Sequence, residues 1–244
     1  MIQKQKNCAI NEKNTDNVSK PELWVFPAFR PNGTVIIACP GGGYYYLEIE
    51  KEGTGLAPWF NYIGVTLAVL KYRMPNGHFE TTLSDVQEAV KIMRQHTEDW
   101  GVNPERVGVM GCSAGGNLAI QASVQFTSRE HRPDFQILLY PFTTMNDFEN
   151  NIMFGPNPSE ELIKKYSVLD HVKPDTPRAF IACSADDSIV PFDDSIKYFK
   201  ELQAHKIPSV LHIYPTGGHG WCEGPWFHYS REWKMELERW LSEW

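Results

Sequence analysis

The sequence has few features of a nucleic-acid-binding protein, because its basic residues are in the minority. It contains 23 Lys and Arg residues against 30 Asp and Glu residues, and its formal net charge is −7. No stripe of Lys or Arg offsets this negative field, which repels phosphate backbones. We therefore expect no nucleic-acid partner. The composition of the 244 residues, 42% hydrophobic and 22% charged, is ordinary for a globular protein with a large core.

Cysteine is scarce as well, and its positions lack the C-x-x-C spacing of metal or redox sites. The five cysteines are Cys8, Cys39, Cys112, Cys183 and Cys222. Their number is odd, and the second, third and fourth each follow an apolar run, as small buried residues at strand ends do. We expect reduced, buried thiols of the kind found in a reducing compartment, and we predict no metal site.

Long apolar segments are absent too. No apolar run approaches the roughly 20 residues that a membrane-spanning helix needs. Residues 1–11 turn polar again before they form the apolar part of a signal peptide. We expect no membrane association and a cytoplasmic location, and the alternative is a secreted form whose leader has been removed.

What the sequence does contain is an alternation of short apolar runs with amphipathic stretches, which is typical of a mostly parallel sheet flanked by helices. The runs that predict strands are 35–39, 65–70, 107–110, 137–140, 179–183 and 210–214. Helices are predicted from about residue 82, over 114–126, over 192–204 and near the C-terminus. The residues that define the faces of the first and last of these helices are Leu83, Val86, Ala89, Val90 and Met93, and Trp233, Leu237, Trp240, Leu241 and Trp244. With no repeat or linker, the chain 1–244 is predicted to be a single α/β domain.

Residues 142–177 interrupt this alternation. Their prolines are Pro156, Pro158, Pro174 and Pro177, and one short helical stretch is predicted near 159–166. In an array of βα units, such a segment is an insertion at the C-terminal edge of the sheet, where ligand sites lie. We therefore predict a small cap-like insertion over the active site.

The sharpest local pattern is Gly111-Cys-Ser113-Ala-Gly115, a G-x-S-x-G sequence that follows an apolar strand and opens a helix rich in small residues. Strand, turn and helix in this order are typical of a nucleophile elbow, which raises the serine hydroxyl above the sheet. Glycines are needed on both sides because side chains would collide in so sharp a turn. We predict that Ser113 is a nucleophile, and the alternative is a glycine- and serine-rich helix cap.

Among the eight histidines, His219 has the sequence context of a general base. It lies in Gly-Gly-His219-Gly, a glycine-rich loop that directly follows a predicted strand. Such a loop can fold back over the sheet edge and bring the imidazole to Ser113, whose hydroxyl needs a base to become nucleophilic. The alternative for any histidine is an ordinary core or surface position.

The imidazole must in turn be oriented by a carboxylate. Strand 179–183 leads into Asp186 and Asp187, which places both at the sheet edge of the elbow. Either aspartate could orient His219, with the other capping the turn. We favour Asp187, because its distance to Val190-Pro191 matches the D-x-x-V-P pattern common in enzymes with a nucleophile elbow. The order serine, acid, histidine is also typical of nucleophile-elbow folds.

A tetrahedral oxyanion needs N–H donors that are fixed before it forms. Ala114, the residue after the nucleophile, is one predicted donor. The second is expected from the glycine loop after an early strand, Pro40-Gly-Gly-Gly, through Gly42 or Gly43. The alternatives are a flexible turn and a phosphate loop, and the phosphate-loop pattern G-x-x-x-x-G-K-[ST] is missing.

Together these segments resemble a known family. The segments concerned are Cys39-Pro-Gly-Gly-Gly-Tyr44, Glu52-Gly53, Lys71-Tyr-Arg73, Gly111-Cys-Ser-Ala-Gly-Gly116, Ala185-Asp-Asp187 with Val190-Pro191, and Gly218-His-Gly220. Over roughly residues 34–222 the sequence resembles bacterial α/β-hydrolase esterases of the acetyl-xylan/carbohydrate esterase and hormone-sensitive-lipase-like group. The resemblance implies the α/β-hydrolase fold and cleavage of acyl esters, often acetyl groups on sugars, without a cofactor. Pro40 departs from the pattern, because the lipase-like branch has histidine there, but the backbone donors survive the change.

We therefore predict a serine esterase for a small acyl ester such as an acetylated sugar. The aromatic residues that flank the predicted site are Tyr44, Tyr45, Tyr46, Trp221 and Trp226. They could stack on sugar faces or simply pack the loops. Two other classes remain open: a peptidase or acyltransferase with the same three residues, and a non-catalytic binding protein, which would usually lack one of them.

Overall fold

The structure, a computed structural model, describes residues 2–4 and 20–243. Its eight strands form one sheet in the order β1-β2-β4-β3-β5-β6-β7-β8. The strands are β1 (Ile2–Lys4), β2 (Glu22–Phe26), β3 (Gly33–Cys39), β4 (Thr66–Lys71), β5 (Val102–Cys112), β6 (Phe135–Leu139), β7 (Arg178–Ser184) and β8 (Ser209–Tyr214). All neighbouring strands are parallel except β2 and β4, which run antiparallel. The predicted mostly parallel sheet is confirmed.

The described residues contain eight α-helices, most of which pack on the sheet. They are α1 (Ala57–Tyr62), α2 (Phe79–Gln95), α3 (Thr97–Trp100), α4 (Ala114–Val124), α5 (Asp147–Phe154), α6 (Glu160–Lys165), α7 (Phe192–Ala204) and α8 (Ser230–Ser242). Helices α2 and α4 contact the central strand β5, α1 contacts β4, α7 contacts β7 and β8, and α8 contacts β7. Strands β3, β6 and β7 are continuous apolar runs in the sequence, because they are buried in a sheet that helices cover.

The predicted helix faces are buried against this sheet. Helix α2 begins at Phe79, three residues before the predicted start, and its residues Val86, Val90 and Met93 are fully buried. In α8, Trp233 and Leu237 are fully buried as well. Trp244 and Cys8, which also belong to the predictions from sequence, lie outside the described residues.

The insertion 142–177 contains more regular structure than predicted. Besides α6, which matches the predicted helical stretch, it holds α5 and a 3-10 turn at Leu169–His171. The expectation of one helical stretch was wrong, because the prolines dominate the local pattern while α5 lies entirely before the first of them. The insertion follows the C-terminal end of β6, at the edge where the chain leaves the parallel strands.

The remaining features of the described ranges are simple. Cys39, Cys112, Cys183 and Cys222 are free and buried, as predicted. No helix within these ranges is both long enough and apolar enough to cross a bilayer.

The C-terminal ends of β3, β5, β7 and β8 lead into residues 40–46, Ser113, Asp187 and His219, so parallel pairing brings these segments to one edge of the sheet.

Candidate active site

Ser113 lies in a sharp turn between β5 and α4, and its backbone is strained. Its φ of 53° and ψ of −119° are rare for a residue with a side chain, and such conformations cost on the order of 1–3 kcal/mol. The Ser113 N–H donates to the Leu139 carbonyl at 3.0 Å, and the Asn117 N–H donates to the Ser113 carbonyl at 3.0 Å. The strain persists because the neighbouring strand and helix hold the turn from both sides.

The glycines that flank Ser113 allow the backbones of β3, β5 and α4 to meet. A Cβ atom on Gly111 would overlap the Gly115 carbonyl oxygen. A Cβ atom on Gly115 would overlap the carbonyl oxygen of Cys39, at the end of β3. Close backbone approach therefore requires glycine at both positions, and this is the physical reason for the G-x-S-x-G pattern.

His219 lies in the loop after β8 and faces Ser113. Its Nε2 is 2.8 Å from Ser113 Oγ, a distance at which the imidazole can accept the hydroxyl proton. Gly218 and Gly220 flank it with φ of 63° and 75°, a left-handed backbone that glycine adopts without strain. The Tyr140 ring meets the imidazole edge-on, with ring centroids 4.9 Å apart. The loop therefore bends back over the sheet edge and brings His219 to Ser113.

Asp187 follows β7, and its two carboxylate oxygens have separate partners. Oδ2 is 2.7 Å from His219 Nδ1. Oδ1 accepts the N–H groups of Ile189 and Val190 at 2.9 Å each, and the side chain is fully buried. A carboxylate in this place can hold the imidazole in the tautomer that leaves Nε2 free to accept the serine proton.

Asp186, the alternative acid in the sequence analysis, contacts the histidine loop at another point. Its Oδ1 accepts the Gly218 N–H at 2.8 Å. We expected the aspartate that does not face His219 to cap the turn after β7, and this expectation was wrong. Asp187 caps that turn itself, because its second oxygen accepts the two N–H groups that follow.

The loop of residues 40–46 follows β3 and carries the glycines predicted as oxyanion donors. Gly42 and Gly43 have φ of 125° and 63°, and their N–H groups donate to no acceptor among the described residues. Ala114 is the first residue of α4, and N–H groups in the first turn of a helix have no partner inside the helix. These three N–H groups are the candidates for holding an oxyanion.

Two buried side chains fix this loop from below. The Tyr72 hydroxyl donates to the Pro40 carbonyl at 2.6 Å, and the Gly41 N–H donates to Glu52 Oε2 at 2.6 Å. Sequence reasoning quoted Tyr72 and Glu52 within the segments that carry the family resemblance but assigned them no role. The family resemblance was the one signal for them in the sequence, because the partner of Tyr72 lies 32 residues away and that of Glu52 lies 11 residues away.

The five aromatic residues near these loops differ in exposure. Tyr44 and Trp221 are buried, and the Tyr44 hydroxyl donates to Asn117 Oδ1 at 3.0 Å. Tyr46 is partly buried. Tyr45 and Trp226 are each 52% exposed. The first pair therefore packs the loops, whereas the last pair presents ring surface to solvent.

The arrangement supports nucleophilic chemistry. A hydroxyl, a base in contact with it, an acid that orients the base and a set of free N–H donors are the parts that acyl transfer requires. In the described part of the chain, no group of three or more His, Cys, Asp or Glu side chains is arranged to hold a metal ion. The expectation that the site works without a cofactor stays a prediction.

Sequence comparisons identify a family and several relatives of this chain. The alpha/beta hydrolase fold family matches residues 36–223. An acetylxylan esterase of Xylanibacter ruminicola is 33% identical over 238 residues, which cover 94% of this chain and 49% of that protein. An endo-1,4-beta-xylanase B of Butyrivibrio fibrisolvens is 29% identical, over 76% of this chain and 32% of that protein. The chain thus spans about half of the first relative and about a third of the second.

Solved structures with the same fold cover nearly the whole chain. An acetyl ester-xyloside bifunctional hydrolase from Caldicellulosiruptor lactoaceticus has a TM-score of 0.84 at 30% identity, over 91% of this chain and 88% of that chain. A sugar hydrolase from Lactococcus lactis has a TM-score of 0.77 at 28% identity, over 96% of this chain and 98% of that chain.

Proposed function

The chain belongs to the alpha/beta hydrolase fold family, and we propose from this premise that it is a serine carboxylic-ester hydrolase. The match confirms the resemblance that the sequence motifs predict. One observation carries the proposal: Ser113, His219 and Asp187 form a continuous hydrogen-bonded chain with distances of 2.8 and 2.7 Å. Such a chain activates a hydroxyl that is otherwise a weak nucleophile.

The proposed mechanism has two displacement steps. Ser113 Oγ attacks the acyl carbon while His219 Nε2 takes the hydroxyl proton, and Asp187 stabilises the resulting imidazolium. Collapse of the tetrahedral intermediate breaks the ester C–O bond, and the departing alcohol takes the proton from His219. A water molecule then attacks the acyl-enzyme in the same way, its proton passes through His219 back to Ser113 Oγ, and a carboxylic acid is released.

The oxyanion of each tetrahedral intermediate is held by backbone N–H groups. We assign this role to Ala114 together with Gly42 or Gly43. Their N–H groups are free of acceptors in the described loop or stand at the start of a helix, where the helix dipole also favours negative charge. In water-excluded surroundings, one such donor contributes a factor of roughly 10²–10³ to kcat.

The proposed substrates are short acyl esters, with acetylated sugars first among them. Relatives named as an acetylxylan esterase and an acetyl ester-xyloside hydrolase support this choice. The insertion supports it as well, because its helices α5 and α6 have 8 and 6 residues, short for an amphipathic lid that opens on lipid. Cytoplasmic location and the absence of nucleic-acid and membrane partners stay predictions.

Replacement of the nucleophile tests the proposal directly. Ser113→Ala should fold normally and lose hydrolysis of 4-nitrophenyl acetate by a factor on the order of 10⁴–10⁶. A fluorophosphonate probe should label the native protein at Ser113 alone, as read by peptide mass spectrometry. Labelling at another serine would contradict the assignment, and a higher kcat/KM for peptide amides than for esters would make the protein a peptidase.

A further inference from the structure

Glu52 is a buried carboxylate that the proposed mechanism does not use. It lies between β3 and α1, is 4% exposed, and no Lys or Arg of the described residues pairs with it. Burial of an ionisable group without an ion-pair partner is costly unless hydrogen bonds satisfy it. Such groups are candidates for a functional role.

Both oxygens of Glu52 accept hydrogen bonds, and the two donors belong to different walls of the site. The Gly41 N–H donates to Oε2 at 2.6 Å, in the loop that carries the oxyanion donors. The Tyr140 hydroxyl donates to Oε1 at 2.9 Å, and the same hydroxyl oxygen accepts the Cys222 N–H at 3.2 Å. One carboxylate therefore connects the oxyanion loop to the segment that follows the histidine.

Tyr140 carries this connection to the imidazole. Its ring lies edge-on to His219 with centroids 4.9 Å apart. Its backbone has a φ of 40°, which is rare for an aromatic residue. Such a conformation costs energy and persists only where the surrounding structure enforces it. The hydroxyl is fixed by its two partners, so the ring cannot rotate away from His219 without breaking both hydrogen bonds.

Gly41 leaves the oxyanion loop little room to shift. A Cβ atom there would lie 2.6 Å from the Cys112 carbonyl oxygen, 2.7 Å from Glu52 Oε2 and 3.1 Å from Ser113 Cβ. The Gly41 peptide is therefore pressed between the nucleophile turn and the carboxylate. A displacement of Glu52 Oε2 would therefore also move the N–H groups of the next two residues, Gly42 and Gly43.

Opposing effects act on the pKa of the Glu52 carboxyl. Burial raises this pKa above its ordinary value, and the hydrogen bonds from Gly41 and Tyr140 and the charge of His219 oppose the rise only in part. The N–H and O–H donors both point at the carboxylate, so the ionised form satisfies every proton in the cluster.

We propose that Glu52 is a positioning residue: it holds the oxyanion loop and, through Tyr140, the His219 imidazole in the geometry that the reaction requires. This inference rests on the proposed function of Ser113 as nucleophile. A displacement of reacting groups by about 1 Å can lower a rate roughly 10²-fold. Loss of the carboxylate should therefore reduce kcat much more than it changes KM.

Glu52→Gln is the central variant, because it keeps the size of the side chain and one carbonyl acceptor. Its amide group must face one of the two donors, so one hydrogen bond is lost. With 4-nitrophenyl acetate, kcat per titrated active site should fall on the order of 10- to 100-fold while KM stays within about threefold. The rate constant for fluorophosphonate labelling of Ser113 should fall by a similar factor.

Asp134→Asn is the matched control. Asp134 is also a buried carboxylate, but it lies at the N-terminal end of β6, where it accepts the Val107 N–H at 2.9 Å and pairs with Arg94 at 3.0 Å. This variant should unfold at a lower temperature and keep its kcat per active site. Tyr140→Phe tests the second half of the connection, and the double variant Glu52→Gln with Tyr140→Phe should lose less than the product of the single losses.

The inference is overturned if Glu52→Gln keeps the wild-type kcat and labelling rate, or if it raises KM at unchanged kcat. If Glu52→Gln does not fold, Tyr140→Phe decides in its place, because it leaves the Gly41 hydrogen bond intact and should still lower kcat at constant KM. An unmodified protein that does not hydrolyse esters would instead overturn the proposed function. The labelling rate of Ser113 would then still decide the role of Glu52.

Discussion

The two adjacent aspartates after β7 hold different parts of the histidine loop, and this difference can be measured. Asp187→Asn keeps the two bonds from Ile189 and Val190 to Oδ1 but can present an amide N–H to His219 Nδ1. The imidazole would then shift to the wrong tautomer, and kcat should fall by roughly 10⁴. Steady-state kinetics with an aryl acetate measure the loss.

Asp186→Asn is the control for this prediction. Its side chain can still accept the Gly218 N–H through the amide oxygen, so kcat should fall far less, within about tenfold of wild type. A larger loss for Asp186→Asn than for Asp187→Asn would assign the orienting role to Asp186.

The raised pKa of Glu52 predicts that the stability of the protein depends on pH. Because its pKa is raised above the ordinary value near 4.5, the folded protein binds this proton more tightly than the unfolded chain does. The stability from this group is therefore fully present below the unfolded pKa and is lost as the pH rises through the folded pKa. The Tm of wild type minus that of Glu52→Gln should decrease from pH 4 to pH 8 in thermal unfolding. A difference that grows with pH would mean that the native pKa is depressed.

For single residues, the sequence predicts those that stand in a short recognisable pattern. Ser113 and His219 stand in short glycine-rich patterns, and the structure brings them within 2.8 Å of each other. The D-x-x-V-P pattern favours Asp187 over Asp186, and Asp187 Oδ2 lies 2.7 Å from His219 Nδ1. The role of Asp187 as the orienting acid stays a prediction. Sequence patterns assign no role to Glu52, because the role proposed for it depends on burial and on Tyr140, which lies 88 residues away.

The turn at Ser113, between β5 and α4, is an element whose backbone contacts leave no room for side chains at Gly111 and Gly115. Gly115→Ala would place a Cβ atom on the carbonyl oxygens of Cys39 and Pro40. Overpacking of this kind costs about 1–3 kcal/mol, so Tm should fall by roughly 2–12 °C. The loop 40–46, which carries the candidate oxyanion donors Gly42 and Gly43, begins at Pro40, so kcat should fall as well. Differential scanning calorimetry and aryl-acetate kinetics measure the two effects.

Gly155→Ala separates backbone strain from overlap. Gly155 lies in the insertion with a φ of 84°, and a Cβ atom there would meet its nearest neighbour at 3.8 Å. This variant should lose about 1 kcal/mol of stability from the left-handed backbone alone and keep its activity. Equal losses of activity in Gly115→Ala and Gly155→Ala would show that the close approach of β3 and α4 does not matter for catalysis.

Elements with clear periodicity or an uninterrupted apolar run were predictable from the sequence. Strands β3 to β8 and helices α2, α4, α6, α7 and α8 follow the sequence patterns with shifted ends. Strand β2 was missed because prolines flank it at residues 21 and 27, and its antiparallel pairing with β4 depends on tertiary contact. Helix α1, six residues with Pro58 at its second position, was missed as well.

The whole molecule places its chemistry at one sheet edge. All eight strands of the described residues join a single sheet, and we propose on this basis that residues 1–244 form one domain. The parts of the site come from four different βα connections, so no single segment of sequence contains it. The alternation of apolar and amphipathic stretches predicted a sheet of βα connections in outline, but not the order of these connections in the sheet.

The shape of the molecule around this edge predicts a preference for short acyl groups. The insertion contributes helices of 8 and 6 residues. Helices this short can cover little of a long acyl chain of the substrate. A buried methylene gains about 0.8 kcal/mol, or roughly fourfold in kcat/KM, whereas a methylene that stays in water gains nothing. Across 4-nitrophenyl acetate, butyrate, octanoate and palmitate, kcat/KM should therefore be highest at acetate or butyrate. A steady rise towards palmitate would favour a lipase.

The same series extended to acetylated xylo-oligosaccharides tests the alcohol side of the substrate. Tyr45 and Trp226 are half-exposed on loops of the site, and aromatic rings of this kind can stack on sugar faces. If they do so, Trp226→Ala should lower kcat/KM for acetylated xylo-oligosaccharides on the order of 10-fold and leave aryl acetate nearly unchanged. Tyr62→Ala, which removes an 89% exposed ring at the end of α1, should affect neither substrate. Equal losses on both substrates for Trp226→Ala would mean that the ring supports the histidine loop and does not bind the sugar.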